Sequence, residues 1–359
     1  MRILALYLPQ YHSFPENDAW WGKGYTEWTA VKRAKPLFKG HHQPVEPLDG
    51  YYDLVDEGVK TWTRQAELAQ KYGVDGFAVY QYWFKGKMLM HRPLEILLEH
   101  PEIDINYCIT WANETWTRTW YGLEEEVLMK QEYGNEADWE KHFSYCLKFF
   151  KDKRYIKIDD KPLFNIYRTF DIDCLSEMTD YFNKRAREEG FAGIFFVGGN
   201  TAGQTETRKE LLDAFYDFEP GRTLKHNFSR IYKTRYELAT AFRHGLNLLV
   251  KKKILERRIP IKWIIDNIVK RDYEENEFPG LIARWDNTPR RDYKGLVYTG
   301  ASPELFGAAL RALSEKVKGR KNDFVYINAW NEWGEGAMLE PTVEEEYAYL
   351  EEIKKVKDL

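Results

Sequence analysis

Ile3-Leu4-Ala5-Leu6-Tyr7-Leu8-Pro9-Gln10-Tyr11-His12 opens on six apolar residues and closes on a polar, aromatic turn. The run Ile3–Leu8 has the length of a strand buried on both faces. In a doubly wound dinucleotide fold a Gly-rich turn would follow it directly. Leu8-Pro9-Gln10-Tyr11-His12 stands there instead, and Gly22-Lys23-Gly24 farther on lacks both the third glycine and the strand–helix context. That argues against the doubly wound fold and makes a closed parallel barrel the better match for the strands that follow.

Seven further strand candidates follow: Gly76–Gln81, Asn106–Trp111, Leu163–Tyr167, Gly193–Val197, Ala214–Phe218, Leu281–Trp285 and Phe324–Trp330. Helical stretches are expected near 57–72, 91–99, 136–151, 174–189, 203–213, 229–253 and 302–318, with a last one at 343–357. Strands alternating with helices mean parallel strands and crossover helices. Ser302-Pro303-Glu304 reads as a cap followed by Pro at the first helical position. The expectation is an α/β chain forming a single-domain (β/α)8 TIM barrel over residues 1–359, with long loops at the C-terminal face of the strands. Barrels of this type use about 250 residues or more in one domain.

Two insertions break the alternation. Residues 9–56 form a long loop after the first strand, rich in Trp, Tyr, His and Pro; ordered loops of such length are usually functional. The stretch 225–272 is basic, with 13 Lys and Arg against 4 Asp and Glu, in a chain whose net charge is −4. A solvated helical face is the plain reading of it. An anionic glycan, a membrane surface or a partner protein are the alternatives. Nucleic acid is not expected, because no recognised binding motif accompanies the charge.

Composition narrows the class. Charged residues make up 31% and hydrophobic residues 43%, as in a globular enzyme. Apolar runs stay well short of the ~18 residues a membrane helix needs. The six-residue run at the start is too short for a signal peptide, whose apolar region takes roughly 7–15 residues. Three widely spaced cysteines (Cys108, Cys146, Cys174) read as reduced thiols and a cytoplasmic setting. The eight His form no HExxH or close ligand set, so neither metal nor cofactor is expected. A G-x-S-x-G elbow and a nucleophilic Cys signature are missing from the sequence.

The active site of such a barrel lies at the strand C-termini. The first strand offers Tyr7, Gln10, Tyr11 and His12, and the loop beyond it Trp20, Trp21, Glu27 and Trp28. The second offers Tyr80, Tyr82 and Trp83, and the third Trp111, Asn113, Glu114, Trp116 and Arg118. Tyr167 and Arg168 end the fourth, Glu219 the sixth, and Trp285, Asp286 and Asn287 the seventh. The eighth runs into Trp330-Asn331-Glu332-Trp333-Gly334-Glu335. Ten of the 13 Trp (20, 21, 28, 83, 111, 116, 120, 285, 330, 333) thus fall at strand ends or in the loops beyond, and are expected to wall a carbohydrate cleft. Trp62, Trp139 and Trp263 are left as packing residues.

Carboxyls among aromatics suit glycoside cleavage, which needs one carboxyl kept neutral as acid and a second as base or nucleophile. Glu332 and Glu335, three apart and flanked by Gly334 and Gly336, are the sharpest pair. Glu114 is a possible catalytic partner across the mouth. Arg290-Arg291 reads as surface salt-bridging, with an anion site as the alternative.

Several blocks resemble the WbsX-like family of bacterial polysaccharide (O-antigen) biosynthesis proteins. They are Tyr7–His12, Trp20–Trp28, Lys35–His41, Trp111–Glu114 with Trp116–Arg118, Trp285–Arg291, and Trp330–Ala337 with Leu339–Pro341. That family is often labelled glycosyltransferase, yet looks related to glycoside hydrolase family 99, the endo-α-mannosidases and endo-α-mannanases, which are (β/α)8 barrels. The hydrolase family's Asn-Glu-Trp-x-Glu-Gly motif matches Asn331 to Gly336, with Gly334 at the variable position.

What the resemblance implies is a retaining mechanism without an enzyme nucleophile. Glu332 would take the proton of the sugar's 2-hydroxyl, whose oxygen attacks the anomeric carbon to give a 1,2-anhydro sugar. Glu335 would protonate the leaving oxygen and then activate water. The sugars implied are α-mannosides and α-rhamnosides, whose 2-hydroxyl is trans to the leaving group. The hydrolases' sugar-binding loops do not align with this chain, which leaves the substrate open. A retaining hydrolase on a bacterial oligo- or polysaccharide is the leading expectation. A glycosyltransferase or transglycosylase, and a non-catalytic glycan binder, are the others.

Overall fold

The computed structural model describes residues 1–117, 127–251 and 253–359. Among the described residues eight parallel strands form the barrel wall. They are β1 (Arg2–Tyr7), β2 (Gly76–Phe84), β3 (Asn106–Trp111), β4 (Lys161–Ile166), β5 (Phe195–Asn200), β6 (Ala214–Asp217), β7 and β8 (Phe324–Asn328). β7 comes in two pieces, Glu277–Phe278 and Gly280–Ile282. The first pairs with β6 and the second with β8, while β1 joins β8 to β2, so the sheet runs round on itself. Pro279 causes the break, since it has no N–H to give the ladder; its carbonyl still accepts from Tyr326 N–H at 2.8 Å.

Each expected strand lies on one of these eight. They were readable because parallel strands are covered on both faces and form continuous apolar runs; all nine residues of β2 are buried. Inside the barrel a short chain of polar side chains is hydrogen-bonded. Tyr326 donates to Asn165 Oδ1 at 2.9 Å, and Asn165 Nδ2 donates to Thr110 Oγ1 at 3.0 Å. Tyr216 stacks on Tyr326 with centroids 4.7 Å apart.

The helices are α1 (Pro15–Trp21), α2 (Glu27–Arg33), α3 (Gly58–Tyr72), α4 (Arg92–Glu99), α5 (Glu136–Phe150), α6 (Leu175–Glu188), α7 (Arg230–Leu249), α8 (Ile261–Lys270), α9 (Thr288–Arg291), α10 (Pro303–Val317) and α11 (Ala348–Lys357). Ser302 caps α10 by accepting from Leu305 N–H at 3.2 Å, and Asn135 with Asp138 makes a capping box on α5. The helix expected at 203–213 is a single 3-10 turn, Lys209–Leu211. Thr201-Ala202-Gly203-Gln204-Thr205 presents no apolar stripe to bury, and the Glu206 carboxylate caps the N–H groups of Thr207 and Arg208 instead. The final helix starts at Ala348, not 343.

The loop 9–56 carries α1 and α2. The basic stretch comprises α7, α8 and a short strand, Arg257–Pro260, which pairs in parallel with Leu296–Thr299 outside the barrel. Cys108, Cys146 and Cys174 are free. Among the described residues no helix is long and apolar enough to cross a membrane.

Candidate active site

Beyond β8 the chain forms a two-residue strand, Asn331–Glu332, paired antiparallel with Ala337–Met338, and between them a 3-10 turn, Trp333–Glu335. The turn is held from below by the start of the chain. The Asn331 side chain accepts from Leu8 N–H at 2.8 Å and donates to the Leu8 carbonyl at 3.0 Å, replacing a strand partner. The Tyr11 hydroxyl donates to the Asn331 carbonyl and accepts from Trp333 N–H at 3.1 Å. Trp333 Nε1 donates to buried Glu340 at 2.8 Å, which Tyr52 and Gln65 also bond. Gly336 has φ +58°, the left-handed backbone glycine accepts without strain, and the Glu335 carbonyl accepts from Asp286 N–H at 2.7 Å.

Arg290, in α9, holds three carboxylates at once. Its Nε lies 3.0 Å from Glu27, Nη2 3.1 Å from Glu332 and Nη1 3.0 Å from Glu335. The guanidinium is 7% exposed. Burial raises the pKa of both Glu332 and Glu335, opposed by Arg290. Glu335 and Glu27 push Glu332 further up, and Glu27 does the same to Glu335. Buried Glu27 and Glu332 and half-buried Glu335 gather on this guanidinium, and so crowded a set of carboxyls in a low-dielectric site favours keeping a proton. The proton belongs to the coupled pair.

Glu332 and Glu335 open onto a cleft of about 320 Å³ at the strand C-termini. Tyr80 and Tyr82 from β2, Trp116, Tyr167, Trp285 and Asn287 stand around it. Glu114 lines the opposite wall, paired with Arg168 at 2.9 Å; burial raises its pKa and Arg168 opposes the rise. Arg168 reaches Asp171 as well, at 2.8 Å. A smaller pocket of about 60 Å³ adjoins through Tyr82, Trp116 and Glu332, and is lined by Gln10, Trp21, Glu27 and Arg290. Among the described residues no group of three His, Cys, Asp or Glu could hold a metal ion.

Residues 3–353 match the family described as Glycosyltransferase WbsX. The chain belongs to the WbsX family. It is 34% and 33% identical, over 353 residues, to the uncharacterised WxcX proteins of two Xanthomonas campestris pv. campestris strains. The match covers 97% of this chain and 48% of theirs, so the chain spans about half the length of these curated relatives. A solved endo-α-mannosidase of glycoside hydrolase family 99 from Bacteroides thetaiotaomicron superposes with TM-score 0.58 at 14% identity, covering 99% of this chain and 96% of that one. A solved glycoside hydrolase-like protein gives TM-score 0.58 at 11% identity, covering 99% and 93%. At these identities the likeness is one of fold, the (β/α)8 barrel.

In this WbsX-family chain several expected site residues stand apart from the cleft. Tyr7 is buried in the core, stacked on Trp62 and bonded to Gln65 at 2.7 Å. His12 is buried beside Phe14, and burial lowers its pKa. Asn113 clamps the β4 end through the Arg168 backbone, accepting and donating at 2.8 Å each way. Glu219 pairs with Arg271 at 3.1 Å and Thr223 at 2.8 Å, and burial pushes it up to about 7. Asp286 binds His41 at 2.6 Å and Gln43 at 2.7 Å, on the far side of Trp285.

The tryptophan wall needs correcting. Trp116 and Trp285 line the main cleft and Trp21 the small pocket, while Trp20 packs edge-on against Trp116. Trp28, Trp83, Trp111, Trp330 and Trp333 are buried. Three of them spend their indole N–H on the structure: Trp28 on the Tyr52 carbonyl, Trp111 on the Trp83 carbonyl and Trp333 on Glu340. Arg118 and Trp120 lie outside the described residues. Arg290, read as a surface cation, sits at the centre of the acidic cluster. Burial of a charge leaves no local mark in sequence.

Proposed function

We propose that this chain is a retaining glycoside hydrolase acting on a bacterial polysaccharide with α-mannoside-like or α-rhamnoside-like configuration. One observation carries the reading: Glu332 and Glu335 occupy neighbouring nitrogens of the buried Arg290 and open on one aromatic cleft. An acid and a base need such an arrangement, one proton held between two carboxyls that face the same bond. The fold likeness to glycoside hydrolases supports it.

Glu332, ionised, takes the proton of the 2-hydroxyl. That oxygen bonds to the anomeric carbon as the glycosidic bond breaks, and the leaving oxygen receives the Glu335 proton. Water deprotonated by Glu335 then opens the anhydro ring at the anomeric carbon, and Glu332 returns its proton to the 2-oxygen. The configuration at the anomeric carbon is inverted twice, so it is retained. Tyr80, Tyr82, Trp116 and Trp285 offer faces for the sugar rings. Glu335→Gln should remove nearly all turnover of a glycan substrate, and anomer-resolved NMR should show the retained product first. Activity within a few-fold of wild type, or an inverted product, overturns the reading.

A glycosyltransferase or transglycosylase is the second reading, favoured by the description of the WbsX family itself. A transglycosylase passes the same intermediate to a sugar hydroxyl. Transfer products in an acceptor-rich digest, in place of free reducing sugar, decide for it.

A further inference from the structure

We propose that α7 is an interfacial helix that lays its outer face on an anionic lipid surface. Six of the ten large hydrophobic residues exposed among the described residues fall between positions 231 and 250. Ile231, Leu238, Phe242 and Leu249 are 66%, 67%, 68% and 85% exposed. Their spacings of seven, four and seven residues put them in one stripe along the helix, at about 3.6 residues per turn. Gly245 falls in the same stripe, and a β-carbon built on it would meet nothing within 4 Å. The described residues therefore leave this face uncovered along its length. The helix packs through its other side. Tyr232 stacks on Trp263 of α8 with centroids 4.5 Å apart, and Arg243 donates to the Glu256 carbonyl at 3.1 Å. The Asn247 side chain donates to the Ile254 carbonyl and accepts from Ile254 N–H, each at 2.8 Å.

A helix that only faces water carries polar residues on its outer stripe, and this one does not. Single exposed apolar residues are ordinary, but a contiguous apolar patch marks an interaction surface. The charge lies beside the stripe. Residues 230–253 hold seven Lys and Arg against the single Glu237. Arg235, exposed, is four positions after Ile231 and three before Leu238, the spacing of neighbours on one helix face. Glu237 pairs with Lys233 at 4.0 Å. At the helix end Leu248, Leu249 and Val250 run straight into Lys251-Lys252-Lys253. An apolar stripe edged by cations is the pattern that seats a helix in a lipid interface, with its hydrophobic side chains in the acyl boundary and its cations among anionic headgroups. A second copy of the chain is the poorer occupant, because two such faces would bring like charges together. This inference goes beyond the glycan reading and does not rest on it.

The test is cosedimentation of the full chain with vesicles of equal parts phosphatidylglycerol and phosphatidylcholine, and with vesicles of phosphatidylcholine alone. The mixed vesicles should bind the protein, phosphatidylcholine should bind it far more weakly, and added salt should release it. Phe242→Ser with Leu238→Ser should weaken binding roughly tenfold or more, the scale of two apolar side chains withheld from an acyl phase. Both residues are exposed, so the melting temperature should stay in place. Arg235→Gln with Lys251→Gln keeps the stripe whole and should still weaken binding to the mixed vesicles several-fold. Absence of binding to the mixed vesicles at low salt, or equal binding to both vesicle types, overturns the proposal. So does equal binding by the wild type and both variants. A concentration-dependent dimer that dissolves on Leu238→Ser, without vesicle binding, assigns the face to a second copy and likewise overturns it.

Discussion

Gly334 and Arg290 are in direct contact: a β-carbon on residue 334 would lie 2.6 Å from Arg290 Nε, and 2.3 Å from the Glu27 oxygen bonded to that nitrogen. The glycine between the two motif glutamates is therefore set by room for a buried ion pair. Gly334→Ala should displace Arg290 and with it both carboxyls. Overpacking of this kind costs about 1–3 kcal/mol. Thermal melts should show that loss, and kcat should fall far more than KM changes.

Removing the guanidinium is more severe. Arg290→Met strips buried Glu27 and Glu332 and half-buried Glu335 of the guanidinium they share, and breaking a buried pair in this way costs about 3–5 kcal/mol. Denaturant unfolding at neutral pH should report it. The deficit should shrink at low pH, where the carboxyls are neutral in both states.

The acid pair also fixes the sign of a pH effect in the wild type. Burial raises Glu332 and Glu335 above their ordinary range. The folded chain keeps a proton that the unfolded chain releases near pH 4.3, so ionisation opposes folding and stability falls as pH rises from there through neutrality. Glu332→Gln, which cannot ionise, should flatten this slope in melting temperatures taken from pH 5 to 8. An unchanged slope would show that the pair is ionised throughout.

Two tryptophans separate binding from packing. Trp330 is fully buried against Phe77, and Trp330→Ala should cost about 3–5 kcal/mol as a cavity. Trp285 faces the cleft. Trp285→Ala should leave the melting temperature nearly in place and raise KM several-fold on any glycan that is turned over.

Asn331 provides a further test. Its amide satisfies both backbone groups of Leu8, and each buried group left unpaired costs about 1–3 kcal/mol. Asn331→Ala should destabilise the β1–β8 junction, seen as faster hydrogen exchange at Leu8, and lower kcat by shifting Glu332.

Much of the barrel was legible in the sequence because its strands are buried on both faces and need unbroken apolar runs, as β2 does. Glu114, Glu332 and Glu335 could be picked out at strand ends, and the fold brings all three to one cleft. What the sequence concealed depends on partners far away along the chain. Glu27 is 263 positions from Arg290, and nothing around Pro289-Arg290-Arg291 distinguishes a buried cation from an exposed one. Trp28, Trp111 and Trp333 misled for a related reason. A tryptophan at a strand end can point up at a ligand or down at a carbonyl, and only the neighbouring loop decides.

Asp286 has a consequence for how this site can diversify. Its backbone N–H holds the Glu335 carbonyl, while its carboxylate grips His41 and Gln43 in the long first loop. The long first loop is thus anchored to the residue whose N–H holds the carbonyl of the proposed acid. Substrate choice cannot be redrawn there by swapping the whole segment as a cassette. Variants that trade its outer residues but keep His41 and Gln43 should leave the Asp286 contact to Glu335 in place, so the tips are the part free to drift.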